Sequence, residues 1–241
     1  VPLSKEDPSK ITSDKRIVES LKTINYLINA GARVILCSHL GKTGQNKSLA
    51  PVAKRLSELL DKDVKLLKDI TSDETKEYVM SMKDGEVCLL ENTRMYEEEE
   101  KNDAEFARKL ASLGEIFVND AFGSAHRAHA STEGVTHYLP SVAGFLIEKE
   151  IAALDGGINN PQRPLVAIVG GSKVSSKIAV LTNLLDKVDT LLIGGAMMFT
   201  FIKAQGGNIG KSLCEDDKIE VAKEILQKAK DKNVKMIIPV D

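Results

Sequence analysis

The sequence predicts an α/β protein with two parallel sheets, each wound on both faces by helices, because three features of the chain agree. Short apolar or β-branched runs alternate with longer segments in which apolar residues recur at helical spacing. Most of the apolar runs contain no polar residue, which is typical of parallel strands buried on both faces. A cluster of Gly, Asn and Pro residues at 155–161 interrupts the alternation and indicates a domain boundary.

In the first half of the chain, helical and extended patterns follow one another closely. The first helix is expected to start after Ser13 or Asp14 and to end at Gly31, a residue suited to a helix C-terminus. Further helices are expected at 52–60, around 78–82 and at 102–113. Strands are expected at 34–37, 64–67, 87–90 and 116–118. This order predicts one parallel sheet with its covering helices.

The second half continues the pattern after one irregular segment. A helix with mixed faces is expected at 144–154, and strands are expected at 165–169, 190–193 and 235–238. The apolar stretch 190–202 is too short for a membrane span, which needs about 20 residues, so it predicts a buried strand leading into a helix. The predicted division is a first domain at 1–146, a hinge helix and linker at 147–160 and a second domain at 161–241.

The composition narrows the class of protein. The 241 residues include 33 Lys and Arg against 35 Asp and Glu, and the formal charge of −2 argues against a nucleic-acid binder. A hydrophobic fraction of 42% indicates a globular chain. Cys37, Cys88 and Cys214 lie far apart without metal-ligand spacing, so neither disulfides nor a zinc site are expected. With no leader pattern before Val1, the prediction is a cytoplasmic protein without a membrane partner.

Polar and cationic residues follow the first-half strands, where open α/β sheets bind their ligands. The run from Ser38 through His39 to Lys42 follows one strand, 91–94 with Arg94 follows another, and 119–129 with Arg127 follows a third. A single Arg or His in such a place is usually a solvated surface residue, but agreement at three strand ends favours a binding site. Because Arg matches phosphate and carboxylate oxygens with paired donors, the expected guest is a phosphorylated carboxylic acid. His126 and His129 lack a third ligand at matching spacing, so no metal is assigned to them.

Glycine pairs follow two strands of the second half. The runs are Gly170-Gly171-Ser172-Lys173 and Gly194-Gly195. Glycine lets the backbone approach a base or a phosphate closely, so we interpret these strand ends as a nucleotide surface, although tight turns alone would also use such pairs. Lys173 and Lys177 are expected at the start of a helix, four residues apart and facing the phosphates.

Two shorter patterns match part of the P-loop motif. Gly41-Lys42-Thr43 and Gly210-Lys211-Ser212 both match the end of the motif, yet Leu36 and Gln205 occupy the positions of its first glycine. A P-loop is therefore rejected. A dinucleotide-dependent oxidoreductase is disfavoured as well, because neither glycine pair has the G-x-G-x-x-G spacing.

Several stretches together resemble the phosphoglycerate kinase family. They are Ser38-His39-Leu40-Gly41, Leu89 to Arg94, Val118 to Thr132 (VNDAFGSAHRAHAST), Gly170 to Ile178, Leu192 to Gly195 and Pro239-Val240-Asp241. The matches span the chain in the family's order, and the stretch from Val118 is the most specific. The resemblance implies two Rossmann-like domains joined by a hinge helix, and a chain that lacks the family's first strand and the last part of the nucleotide domain.

The resemblance also implies an activity and residue roles. The activity is reversible phosphoryl transfer between 1,3-bisphosphoglycerate and ADP, giving 3-phosphoglycerate and ATP with Mg²⁺ on the nucleotide, in a monomer. The implied substrate-binding residues are Arg16, His39, Lys42, Arg94 and Arg127. The implied catalytic residues are Arg16 and Lys173. The implied nucleotide-binding residues are Gly170, Gly171, Ser172, Lys177, Gly194, Gly195 and Leu213. No metal ligand is assigned.

The sequence departs from the family pattern at four positions, where Lys42, Met95, Ser176 and Ala196 replace the usual Arg, Phe, Asp and Gly. Lys42 exchanges a forked donor for a point charge, and Ala196 adds a methyl group near the expected adenine site. Because family residues that contact both ligands are missing from the sequence, the chain by itself is expected to be inactive. The alternative hypothesis is a non-catalytic module that binds phosphorylated acids.

Overall fold

The chain folds as two compact units, Val1–Ile151 and Ala152–Asp241, in a computed structural model. The structure describes residues 1–4 and 6–239. Val240 and Asp241, which end the last motif quoted above, lie outside the described residues. The predicted division at 147–160 stays a prediction.

The first unit alternates helices and strands as expected. Its helices are α1 (Lys15–Asn29), α2 (Ala50–Leu60), α3 (Asp73–Ser81), α4 (Glu97–Glu100), α5 (Ala104–Ala111) and α6 (Phe145–Ile158), the last of which runs on into the second unit. Its strands are β1 (Val34–Leu36), β2 (Val64–Leu67), β3 (Val87–Leu90), β4 (Phe117–Asn119) and β5 (Ser141–Ala143). Strands β1 and β2 pair in parallel with the two edges of β3, and β4 pairs in parallel with β5. The predicted parallel pairing is confirmed, but the expectation of a single sheet is wrong, because β4 pairs with β5 in a separate two-stranded sheet.

Strand β3 shows why this sheet is covered on both faces. All four of its residues are buried. Val87 and Leu89 face a core built with α1 and α2, whereas Cys88 and Leu90 face a second core built with α3 and α5. Since successive side chains of a strand point to opposite faces, one continuous apolar run fills both cores.

Two local elements differ from the expectation. Helix α3 starts at Asp73, five residues before the predicted 78–82 segment, because the Ser72 hydroxyl caps it by accepting from the Thr75 amide at 3.2 Å. Helix α6 does not end at Leu154 but continues through Gly156 and Gly157 to Ile158. Glycine weakens a helix without forbidding it, so the glycines belong to the helix rather than to a linker.

The second unit is a smaller parallel sheet with helices. Its elements are β6 (Val166–Gly170), α7 (Ile178–Leu184), β7 (Thr190–Gly194), α8 (Met197–Ala204), α9 (Ile219–Asp231) and β8 (Lys235–Ile237). Strand β7 is central and pairs in parallel with both neighbours. Leu191 and Ile193 of β7 are buried in a core formed with residues of α7, α8 and α9. The predicted strand leading into a helix at 190–202 is confirmed as β7 and α8. No helix within residues 1–4 and 6–239 combines the length and apolar character that a membrane crossing requires.

Strand β6 leaves one row of apolar side chains uncovered. Val166 and Ile168 are 50% and 76% exposed, while Ala167 and Val169, which alternate with them, pack against the core. Such a face favours association with other apolar surfaces. Strand β6 therefore has one uncovered apolar face.

We expect Ile168→Thr to leave the unfolding free energy of the second unit nearly unchanged and to reduce self-association of the 241-residue chain. Thr keeps the β-branched shape that strands favour, and it replaces the ethyl branch of the exposed Ile168 side chain by a hydroxyl group. Leu191→Ala, at a fully buried position of the same sheet, is expected to cost about 2 to 5 kcal/mol. Urea unfolding and sedimentation velocity check both variants. Equal destabilisation by the two would show that Ile168 is packed.

Candidate functional site

The first candidate site lies beyond the carboxyl ends of β1 and β3, which are neighbours in the sheet. Asn92, directly after β3, is fully buried and connects the segments that follow the two strands. Its Nδ2 donates to the main-chain oxygens of Leu40 at 2.9 Å and Lys47 at 2.8 Å. Its Oδ1 accepts from the amides of Leu40 at 3.0 Å and Arg94 at 3.1 Å. With its donors and acceptor satisfied, this side chain fixes the loop 40–47 against the start of 93–95.

Glu91 performs a similar task one residue earlier. Its Oε1 accepts from the amides of Leu49 at 2.7 Å and Asn92 at 2.8 Å, and its Oε2 accepts from the Ser48 hydroxyl at 2.7 Å. The buried carboxylate therefore holds the start of α2 at the end of β3. Sequence reasoning read Glu91 and Asn92 only as polar residues after a strand.

Arg94 is the most informative residue of this site. It is 7% exposed, its Nη1 donates to the main-chain oxygen of Gly41, and its Nε lies 3.2 Å from a carboxylate oxygen of Glu100. Its Nε and Nη2 are nevertheless buried without a hydrogen-bond partner. A buried guanidinium with unmet donors is costly unless an acceptor completes it, so the position is suited to an oxyanion.

The pKa of His39 responds to burial and to positive charges. Burial, followed by the charges of Arg94, Arg127 and His129, lowers the pKa of His39 to about 4. The charges of Arg94, Arg127 and His129 thus act on His39, and these four residues are named here the cationic cluster. That His39, Arg94 and Arg127 form one binding site stays a prediction. The sequence places His129 in the polar run 119–129 and in a disfavoured metal pair, but assigns it no binding role. At neutral pH the free cluster keeps His39 uncharged, with a ring N–H available as a donor.

The two remaining cationic candidates of this unit are exposed. Arg16 lies in the first turn of α1, and its charge lowers the pKa of the Val1 amino group, where burial is the larger cause. Lys42 follows Gly41, whose carbonyl Arg94 holds. Both are near segments of the cationic cluster, but no hydrogen bond joins either side chain to it among the described residues.

Asp120, the residue after β4, ties this region to α6. Its Oδ1 accepts from the amides of Leu146 at 2.8 Å and Ile147 at 3.3 Å, and the Thr23 hydroxyl of α1 accepts from the Phe145 amide at 3.0 Å. The first turn of α6 is thus anchored within the first unit. The sequence carried the signal in the acid directly after a strand, but its partners lie more than twenty residues away.

The second candidate site lies at the carboxyl ends of β6 and β7. Gly170 and Gly194 are partners in the strand register, and Gly195 adopts a positive φ of +69°. A Cβ added to Gly195 would lie 2.7 Å from the oxygen and 2.8 Å from the nitrogen of Gly171. The two glycine pairs therefore pack backbone against backbone, and only glycine fits at 195. Around Gly194 the space is open.

The lysines of this unit are placed differently from the expectation. Helix α7 begins at Ile178, so Lys173 and Lys177 lie in the preceding turn, and the argument from helical spacing is wrong. The turn is held by Ser175, whose amide and hydroxyl both donate to Glu215. Lys177 is still close to the glycines, because a Cβ added to Gly171 would lie 3.8 Å from the Cε of Lys177.

Ser172 and Leu213 complete the predicted set in this unit. Ser172 is exposed directly after the Gly170-Gly171 pair. Leu213 is 71% exposed in the loop before α9, a loop joined to the 173–177 turn through Glu215. An exposed Leu beside a polar turn offers an apolar contact to a ligand.

Comparison with known proteins gives one consistent result. The family model described as phosphoglycerate kinase matches residues 1–241. The phosphoglycerate kinase of Chlorobium phaeobacteroides strain BS1 is 58% identical over all of this chain, and that of Prosthecochloris aestuarii is 59% identical over 96% of it. The matches cover 62% and 59% of those proteins, so the chain spans about 60% of the length of the curated relatives it matches.

Solved structures agree with the sequence relatives. The structure of phosphoglycerate kinase from Coxiella burnetii has a TM-score of 0.84 and 46% identity, covering 100% of this chain and 61% of that one. The phosphoglycerate kinase from Pyrococcus horikoshii has a TM-score of 0.77 and 34% identity, covering 97% of this chain and 62% of that one.

Proposed function

Because the chain belongs to the phosphoglycerate kinase family, we propose that the whole protein transfers a phosphoryl group reversibly between 1,3-bisphosphoglycerate and ADP, giving 3-phosphoglycerate and ATP. The observation that carries the proposal is Arg94, a buried guanidinium with unmet donors in the cationic cluster. A phosphorylated carboxylic acid supplies oxyanions that satisfy those donors.

The first unit binds the phosphorylated acid in this proposal. Arg94 and Arg127 donate to its oxyanions, and His39 offers a ring N–H. Lys42 and Arg16 lie at the margin and add positive charge from exposed, adjustable side chains. Arg16 is the cation assigned to the transferring group.

The second unit binds the nucleotide in this proposal. The glycine contact between 171 and 195 leaves backbone and open space at Gly194, a surface that suits a planar base or a phosphate. Lys177 beside Gly171 binds nucleotide phosphates, with Gly170 and Ser172 at the same strand end. Leu213 supplies an apolar wall, and Lys173 stabilises the migrating phosphoryl group.

Magnesium enters with the nucleotide in this proposal. The described residues contain no group of three or more His, Cys, Asp or Glu side chains arranged to hold a metal ion, so no protein ligand is assigned to it. When bound, Mg²⁺ neutralises phosphate charge as the transfer proceeds.

Positioning and charge account for the chemistry. A carboxylate oxygen and a phosphate oxygen exchange a loose, metaphosphate-like group, so no side chain needs to act as a nucleophile. The residues assigned above bind and orient the two reactants and oppose the charge on the migrating group. Both ligands must meet for transfer, and we assign the hinge that permits this to segment 147–160.

A titration and a coupled assay test the proposal. The 241-residue chain is titrated with 3-phosphoglycerate by calorimetry, and both this chain and the whole protein are assayed with MgATP and 3-phosphoglycerate. We expect binding by both and turnover only by the whole protein. Absence of turnover in the whole protein would reject the kinase. Binding without turnover in the whole protein would favour the alternative, a module that binds phosphorylated acids.

Cell compartment and assembly are also proposals. Cys37, Cys88 and Cys214, all among the described residues, carry free thiols, which fits the reducing cytoplasm. We propose a monomeric whole protein, and sedimentation velocity tests this.

We expect the binding of 3-phosphoglycerate at pH 6 to take up a proton on His39. Burial and the neighbouring cations lower the pKa of His39 to about 4 in the free protein, and a bound polyanion opposes those cations and raises it. Calorimetry in two buffers of different ionisation heat counts the net protons, which include any that the ligand phosphate releases, since its second pKa is about 6. His39→Gln is therefore expected to lower the net uptake, whereas His137→Gln, at an exposed histidine paired with Glu133, leaves it unchanged. Equal net proton numbers for His39→Gln and the unsubstituted protein would contradict this.

The lowered pKa of His39 also makes the free energy of unfolding depend on pH. Between pH 6.5 and about 4 the unfolded chain protonates this histidine while the folded chain does not. The free energy of unfolding is therefore expected to fall as the pH is lowered through this range, and His39→Gln reduces the slope.

A further inference from the structure

We propose that Glu99 is a positioning residue of the cationic cluster, holding the segment that carries Arg127 and His129 against the segment that carries Arg94. The proposal rests on the proposed function for its ligand, a phosphorylated acid. Glu99 is not a catalytic residue here, because it acts through other side chains.

The contacts of Glu99 span two segments of the chain. The residue is 1% exposed and lies in α4. Its Oε2 accepts from the Ser131 amide at 3.0 Å, and its Oε1 accepts from the Ser131 hydroxyl. Its main-chain oxygen accepts from the Ala130 amide at 2.9 Å. Three hydrogen bonds thus join α4 to residues 130 and 131.

Main-chain hydrogen bonds between near neighbours connect these contacts with Arg94 on one side and with Arg127 on the other. On one side, the Glu99 amide donates to Tyr96 and the Tyr96 amide donates to Thr93, the neighbour of Arg94, at 3.3 and 3.2 Å. On the other side, the His129 amide donates to the main-chain oxygen of Arg127 at 3.0 Å. Apart from the half-buried Ser124, the loop 121–128 is exposed, so the anchor at 130–131 limits where Arg127 can lie.

Burial of the Glu99 carboxylate costs folding stability, which favours a functional role for this residue. Among the described residues, its hydrogen-bond donors are neutral groups of Ser131, and no Lys, Arg or His forms an ion pair with it. Burying a carboxylate without a paired cation costs stability, and a neutral side chain could hold the loop at lower cost. The cost of burying this carboxylate therefore favours a positioning role for Glu99 over simple stabilisation of the fold.

The test uses two variants with the same change of charge on the same helix. Glu99→Gln removes the charge but keeps both contacts with Ser131 possible, because the Gln oxygen can accept from the Ser131 amide and its NH2 can donate to the Ser131 hydroxyl. Glu98→Gln alters an exposed neighbour whose side chain has no hydrogen-bond partner in the described structure. In the whole protein, Glu99→Gln is expected to raise the KM for 3-phosphoglycerate by about tenfold, because two charge-assisted hydrogen bonds become weaker neutral ones. The KM for ATP and all constants of Glu98→Gln stay within twofold.

A double substitution tests whether Glu99 acts through Arg127. In an Arg127→Ala background, Glu99→Gln is expected to change the KM for 3-phosphoglycerate by less than threefold, since the residue being positioned is gone. An unchanged tenfold effect in that background would overturn the proposal. So would a Glu99→Gln protein that melts earlier yet keeps the original KM, because its role would then be structural only.

A readout without turnover separates this proposal from the proposed function. The imidazole NMR signals of His39 and His129 are followed during titration with inorganic phosphate. Saturable shifts in the unsubstituted protein and Glu98→Gln, weakened about fivefold or more in Glu99→Gln, support the role of Glu99 even if the kinase assay fails. Equal shifts in all three proteins, or no saturable shift in any, would overturn it.

Discussion

Replacing Arg94 by Ala is expected to weaken binding of 3-phosphoglycerate by about 2 to 5 kcal/mol, the range for removing one partner of a buried charged hydrogen-bonded pair. Two donors of this guanidinium are buried without acceptors in the free chain, so the ligand gains hydrogen bonds there that water does not already make. Calorimetric titration of the 241-residue chain measures the loss directly.

Arg33→Ala is the matched control, because it removes the same charge from an exposed position before β1, at the opposite end of that strand from the site. Its affinity is expected to stay within twofold. Arg94→Lys is expected to recover little, since an ammonium group lacks the forked donors. Urea unfolding of Arg94→Ala is measured in parallel, because Arg94 also donates to the Gly41 carbonyl and pairs with Glu100. Near-normal affinity of Arg94→Ala would take Arg94 out of the site.

Gly195→Ala is expected to destabilise the second unit and to abolish nucleotide binding by the whole protein. The left-handed backbone at φ +69° costs a non-glycine residue about 1 to 2 kcal/mol. The added Cβ would also lie 2.7 Å from a main-chain oxygen of Gly171, so the two glycine pairs must separate. Urea unfolding and titration with a fluorescent ADP analogue measure the two effects.

The neighbouring glycine provides a close control. A Cβ on Gly194 meets nothing within 4 Å, and its φ is not in the left-handed range, so Gly194→Ala is expected to fold with nearly unchanged stability. If Gly194→Ala and Gly195→Ala lost the same stability, backbone contact between the glycine pairs would not be the cause.

Most helices and strands could be predicted from local patterns in the sequence. The continuous apolar run of β3 predicted a central strand because both of its faces must be buried. The capped start of α3 was missed because Asp73 and Glu74 dilute its apolar periodicity. Strand β5 was missed because its three residues are exposed and too few to show alternation.

Contacts between distant residues explain what sequence patterns did not predict in the sites. The turn at 173–177 is shaped by Glu215, forty residues from Ser175, so helical spacing misplaced both lysines. The roles of Asn92 and Glu99 depend on partners 32 to 52 residues away. Their residue types permit such roles, but only the folded chain brings the partners within hydrogen-bond distance.

The apolar cores of the two units share no residue and no strand: the core of the second unit lies among 174–234, while the two cores of the first unit lie within 17–130 and are joined through β3. A strand that fills both cores makes the first unit melt as one, whereas the second unit has its own core to lose. Heat is therefore expected to produce two calorimetric transitions in this chain rather than one. A ligand of the cationic cluster would raise the temperature of only one of them, so each transition can be assigned to a unit without cutting the chain.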